Sequence, residues 1–373
     1  MSARVTPLVF VGGSRESAIE EVLADAHEAV ALDTLERLLG CPEFDAPIVA
    51  TGSRGLVRQL RDWPVRVVPD DGSFHFGRVL AGLIERFGVE RAFYVGGGAA
   101  PLLSVEELSR VGQLVLTNER VLVANNFFSA DFVAFTPADA IHRIAPPAID
   151  NDLAFRLQRE GGLRNLPLER TSGTQMDLDT PTDLLILSLH PNVGPNLGRF
   201  FGTADLDPSR IRQVSHFLTD PTAEVVVSGR VGSYLWAHLD TDLACRTRIF
   251  SEERGMRANG REARGEVRSL LAYQLQAVGP ERFFEQLAEL GNAAFIDSRV
   301  IFNHLKLDLT ASDRFNSDLL RVEEVTDPMA RAFTSAARDA SKPVVLGGHS
   351  LVAGGLWALT EAAWLEQDRI AGR

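Results

Sequence analysis

The sequence predicts an α/β protein, with a mostly parallel sheet flanked by helices in the first half and a mainly helical C-terminal domain. Three observations predict it. Short apolar runs bounded by glycine or proline recur between residues 8 and 135, stretches with helical apolar spacing lie between them, and helical patterns dominate beyond residue 190. Strands are expected at residues 8–11, 47–51, 65–68, 92–95 and 131–135. Residues 17–39 place Ile19, Val22, Leu23, Ala26, Val30, Leu35 and Leu38 at helical spacing, in a stretch long enough to contain a break. Leu56, Val57 and Leu60 mark a short helix, and Val79, Leu80, Leu83, Ile84 and Phe87 mark another. Ser104 followed three residues later by Glu107 has capping-box spacing and opens a helix expected to end near Val111.

Thr180-Pro181 puts proline at a first helical position, followed by Leu184, Leu185, Leu187 and Leu189. The loop at residues 190–196, rich in proline, glycine and asparagine, then sets the expected boundary between an α/β domain at 1–190 and a second domain at 191–373. In the second domain, helices are expected at 266–278, 280–290 and 328–340. Residues 223–227 and 343–346 are its strand candidates. No repeat or low-complexity tract interrupts the chain.

Composition bounds the function. The 373 residues, 45% hydrophobic and 24% charged, suit a globular protein of two domains. A net charge of −12 opposes a broad grip on nucleic acid, so small molecules or proteins are the expected partners. Of the 38 basic residues only Lys306 and Lys342 are lysine. Cys41 and Cys245 lie far apart, with no neighbours at metal-ligand spacing, so neither a disulfide framework nor a zinc site is expected. The apolar run Leu8-Val9-Phe10-Val11 is too short for a signal-peptide core, which leads to the expectation of a cytoplasmic protein. Residues 343–360 carry no charged side chain but hold four glycines, a histidine and a serine, so a strand, a turn and a helix are expected there rather than a membrane span.

Several segments carry candidate chemistry. The first strand runs into Gly12-Gly13-Ser14-Arg15, where glycines allow close backbone approach and a following helix N-terminus attracts phosphate. A tight strand-to-helix turn explains the same residues. Gly96-Gly97-Gly98-Ala99-Ala100-Pro101 follows a central strand, Asn125-Asn126 precedes the run at 131–135, and Met176-Asp177-Leu178-Asp179-Thr180-Pro181-Thr182-Asp183 closes the domain.

In that order the four segments resemble the nucleotidyltransferase superfamily of the nucleotide-sugar pyrophosphorylase type, especially its molybdenum-cofactor and phospholactate guanylyltransferase-like branch, over about residues 5–190. The resemblance implies a Rossmann-like domain of the nucleotidyltransferase and glycosyltransferase type A kind. It further implies a nucleoside triphosphate on Gly12, Gly13, Ser14, Arg15, Gly97 and Gly98. Mg2+ held by Asp177 and Asp179 would bridge the phosphates, and the nucleotidyl group would pass to a small phosphorylated or carboxylated acceptor with release of pyrophosphate. Asp179 and Thr180 equally suit the capping of the helix at Pro181. Two departures stand out. Ala99 occupies a position where the family carries a metal-binding aspartate, and no lysine occurs before Lys306 to take the family's phosphate-contacting role. They leave open a catalytically inactive scaffold for ligand sensing or protein assembly, and the Asp-X-Asp spacing also suits a glycosyltransferase.

The second domain is expected either to close over the site or to mediate homodimerisation. Its charged clusters read first as solvated, salt-bridged faces. The sharper expectation is an anionic-ligand pocket formed by Arg248, Arg254 and Arg299, with His304 as acid or base. Gly347-Gly348-His349-Ser350 lacks the spacing of a hydrolase nucleophile elbow and is expected to form a turn.

Overall fold

A computed structural model of the chain describes residues 4–69 and 74–372. It divides into two compact units: one holds the chain through Ser14, then Ala24–Asp177 and Gly194–Phe200; the other holds Arg15–Leu23, Leu178–Val193 and the residues from Phe201 onward.

The first unit is built on seven strands: β1 (Thr6–Val11), β2 (Ile48–Thr51), β3 (Arg66–Pro69), β4 (Ala92–Gly96), β5 (Val121–Ala124), β6 (Phe132–Thr136) and β7 (Arg164–Leu166). They lie in the order β3-β2-β1-β4-β6-β5-β7. Every neighbouring pair is parallel except those of β6, which runs antiparallel to both β4 and β5. The mostly parallel sheet flanked by helices is therefore as expected. Near-continuous apolar runs such as that of β1 fit a sheet covered on both faces. Alternation along the strands distributes the side chains. Leu8, Phe10, Ile48, Ala50 and Tyr94 pack on one face with Leu80, Leu83 and Ile84 of helix Phe76–Phe87. Val9, Val11, Val49, Phe93 and Val95 pack on the other with Leu35, Leu38, Leu108, Val111 and Val115. The first helix is unbroken over Ala18–Gly40, and the helix capped by Ser104 and Glu107 continues past Val111 to Thr117, where buried Val115 keeps it on the core.

In the second unit helices supply most residues, as expected, but they are ordered around a sheet. Its strands are β8 (Glu224–Gly229), β9 (Arg246–Ser251), β10 (Ala293–Asp297) and β11 (Val344–Gly347), in the order β11-β10-β8-β9 and all parallel. Two of these strands, β9 and β10, were not anticipated. A cluster of Phe283, Phe284, Phe302 and Phe333, with ring centroids 5.0–6.5 Å apart, packs the helices against the sheet. The uncharged stretch at 343–360 is β11, a turn and the start of helix Leu356–Ala371. No helix among the described residues is long and apolar enough to cross a membrane.

The boundary expected near residue 190 differs in detail. Helix Pro181–Leu187 belongs with the second unit, because buried Thr182 donates from Oγ1 to the Leu346 carbonyl at 2.6 Å and Ser350 donates to Asp183 at 2.7 Å. Residues 194–200 return to the first unit, where Asp33 accepts from the backbone amides of Asn196 and Leu197.

Candidate functional site

In the first unit the strand order reverses at β1. From there β2 and β3 extend to one side and β4 to the other, so the carboxyl ends of β1 and β4 form a topological switch point, where open α/β sheets bind ligands. Gly12, Gly13 and Ser14 follow β1 and are exposed; Gly97 and Gly98 follow β4. The two loops touch through backbone. Gly97 N–H donates to the Phe10 carbonyl at 2.7 Å, and a Cβ at position 97 would fall 3.2 Å from Val11 Cα and 3.3 Å from the Phe10 oxygen. A larger residue there would push the loops apart. At Gly12 a Cβ would meet nothing within 4 Å, so this backbone faces open space.

Arg15 is exposed, and the helix that follows begins only at Ala18, with Glu20 and Glu21 in its first turn. Those acids already complement the dipole at the helix start.

Sequence reasoning missed the polar cluster beside the glycine turn. Tyr94 on β4 is buried against Phe10 and Phe76, with ring centroids at 5.3 and 4.8 Å, and donates its hydroxyl to Asp150 Oδ2 at 2.7 Å. Burial, then Asp150, and then Asp131 and Asp177 push the phenol well above its ordinary value, so Tyr94 acts as a hydrogen-bond donor and not as a base. Asn125 ties the turn between β5 and β6: its Nδ2 donates to Asp131 Oδ2 at 2.6 Å and its Oδ1 accepts from Asp131 N–H at 3.0 Å. Spacing alone could not have shown that Asp131 and Asp150, nineteen residues apart, converge on one phenol.

Asp177 pairs through its backbone with Ala99 as an isolated antiparallel bridge, which sets this segment beside the glycine turn. The Ala99 side chain is buried in the apolar cluster that holds Val95 and Phe132. Asp179 is exposed, and its N–H donates to Asp183 at 3.1 Å. Among the described residues no group of three or more histidines, cysteines or carboxylates is arranged to hold a metal ion. The donors present fit magnesium only as a share of a shell that substrate phosphates complete.

The four residues expected to form a pocket in the second unit do not assemble into one. Arg248 is spent on Glu224 Oε1, at 3.1 Å, and on the Leu290 carbonyl. Buried Arg299 makes a two-pronged pair with Asp318. His304 accepts from Ser269 N–H at 2.9 Å, contacts Gln276 and stands edge-on to Tyr273, a structural role; burial, then Arg268, lower its pKa. Arg254 alone is left exposed, without a carboxylate partner among the described residues.

Buried charge in this unit gathers instead at the carboxyl ends of its strands. Arg230, after β8, binds both oxygens of Asp297 at the end of β10, at 2.6 and 3.0 Å. Burial alone would raise the Asp297 carboxyl, but Arg230 holds it below the usual range. Gly229, at φ 123°, allows the approach, since a Cβ there would lie 2.3 Å from Asp297 Cβ. Asp183 is fully buried, and burial raises it to about 7. Its Oδ2 accepts from Ser350, Thr180 and Asp179, while Oδ1 has no hydrogen-bond partner among the described residues.

No protein-family model and no curated protein sequence matches the chain. Solved structures similar to it include a putative nucleotide-diphospho-sugar transferase from Desulfovibrio desulfuricans, at 16% identity and TM-score 0.37 over 49% of this chain and 85% of that one. A nucleotidyl transferase from Methanothermobacter thermautotroptrophicus has 16% identity and TM-score 0.40 over 54% of this chain and all of its own. A cytidylyltransferase from Leptospira borgpetersenii has 16% identity and TM-score 0.38 over 51% of this chain and 86% of its own.

Proposed function

We propose that the first unit binds a nucleoside triphosphate at the carboxyl ends of β1 and β4 and transfers its nucleotidyl group to a small phosphorylated or carboxylated acceptor, releasing pyrophosphate. The observation that carries this reading is the bond from Gly97 N–H to the Phe10 carbonyl at the switch point, which holds the loop after β4 against the end of β1, next to the open space at Gly12. Loop amides at Gly12, Gly13, Ser14 and Gly98 are the groups offered to phosphate oxygens, whereas the Gly97 amide is already bound to the Phe10 carbonyl and Arg15, next in the chain, belongs to the second unit. Asp177 is the carboxylate of this unit offered to magnesium arriving with the nucleotide, which when bound would offset phosphate charge. The guanylyltransferase-like branch of the sequence resemblance makes GTP the first triphosphate to try; CTP is the second, after the cytidylyltransferase named among the similar structures.

Calorimetric titration with each of the four triphosphates, with and without magnesium, tests the reading. Binding of at least one is expected, and Gly12→Asp should weaken it by roughly tenfold or more, by setting a carboxylate among the phosphates, while the melting temperature stays unchanged. Asp177→Asn should remove the magnesium dependence of binding. Binding of no triphosphate sinks the proposal.

A second reading has its own observation. Ala99 is buried in an apolar cluster and no lysine serves this unit, which suits a fold that binds a nucleotide without turning it over, as a sensor or an assembly module. Triphosphate binding with no pyrophosphate released across a panel of phosphorylated and carboxylated acceptors would favour it.

A further inference from the structure

The sheet of the second unit has a switch point of its own. β8 sits between β9 on one side and β10 and β11 on the other, and all four strands point the same way, so their carboxyl-end loops share one edge. Each loop brings a charged or titratable side chain there: Arg230 after β8, Arg254 after β9, Asp297 at the end of β10 and His349 after β11. They share this edge by geometry: Arg230 bonds Asp297, Asp297 lies opposite Gly347 two residues before His349, and the Arg254 guanidinium stands beside Gly232; burial, then Arg230, lower the His349 pKa.

The cations at this edge are not equally committed. Arg230 spends Nε and Nη2 on Asp297, which neutralises that carboxylate. The two acids beside Arg254 turn away from it. Glu252 accepts from the Ser269 hydroxyl and the Leu270 amide, both at 2.6 Å, and Glu253 takes a two-pronged bond from Arg261 at 2.7 and 2.8 Å. The chain achieves this by holding Glu253 at φ 53°, a conformation that residues with a side chain rarely adopt. Arg254 is left with its guanidinium 3.8–4.0 Å from where a Cβ of Gly232 would stand. The backbone at Gly232 therefore has an exposed, uncompensated guanidinium beside it.

We propose that this edge is a second ligand site, which takes a phosphate monoester: Arg254 and the unspent Nη1 of Arg230 bind the phosphate, and His349 lies alongside it. Two guanidiniums match the oxygens of a phosphate dianion in a way that lysines would not. The inference is independent of the nucleotide site, since every residue it uses belongs to the second unit.

Histidine-selective NMR of the full chain titrated with glycerol 3-phosphate tests it, with the His349 signal assigned through His349→Gln. The expected result is a saturable shift of the His349 signal. Arg254→Glu should weaken that binding by roughly tenfold to a hundredfold with an unchanged melting temperature, because this exposed side chain has no partner to lose, and Arg254→Lys should fall between. An unmoved His349 signal, a shift confined to other histidines, or equal affinity in Arg254→Glu would overturn the proposal.

Discussion

Burial raises the Asp183 carboxyl to about 7 in the folded chain, against an ordinary value near 4 when unfolded. The folded state therefore holds the proton more tightly. Its contribution to stability is complete below about pH 4, is lost progressively as pH rises to about 7, and stays lost above that. Asp183→Asn keeps an oxygen for Thr180 and Ser350 and removes the titration. Relative to the parent, it should gain on the order of 2–4 kcal/mol between pH 4 and pH 8. Denaturant midpoints across that range check this; a constant difference would contradict it. Ala99→Asp is the other informative single change. The sequence marked Ala99 as a departure, but only its burial shows that a carboxylate there enters an apolar cluster. Without magnesium the variant should lose roughly 2 kcal/mol or more, seen as a lower melting temperature. Single residues were legible where a motif names them, as with Gly12 and Gly97. They were illegible where chemistry depends on convergence, as with Tyr94, Asp131 and Asp150.

Elements of the first unit were readable because parallel strands buried on both faces are written as unbroken apolar runs. β5 was missed although Val121–Ala124 is as long and as apolar as β2, whereas three-residue β7 left too little pattern to detect. In the second unit β9 hides for the opposite reason. It is an edge strand, half exposed, and Arg246, Thr247 and Arg248 give it a polar character. β10 is central and fully buried, but its first two residues are alanines and it closes on Asp297. Missing these strands scattered the arginines: Arg248 lies within β9, while Arg230 and Arg254 follow strand ends. Arg299 ties two helices, reaching from helix Ser298–His304 to Asp318 at the end of helix Ala311–Asp318. Arg299→Met should cost roughly 3–5 kcal/mol by stranding the Asp318 charge, and adding Asp318→Leu should recover most of that loss in urea denaturation. A double variant no better than the single one would show that the pair does more than neutralise itself.

At the scale of the whole molecule, both units are parallel or mostly parallel α/β assemblies, and in each the strand order reverses beside loops rich in glycine. The net charge of −12 opposes a broad grip on polyanions by either unit. The central claim is that the nucleotide lies on the loops after β1 and β4. Hydrogen–deuterium exchange of the intact protein, with and without saturating GTP or CTP and magnesium, tests it most directly. Slower exchange in peptides covering residues 10–14 and 96–98, with residues 228–233 unchanged, is the predicted result. Protection absent from the first two segments, or found only at residues 228–233, would contradict it.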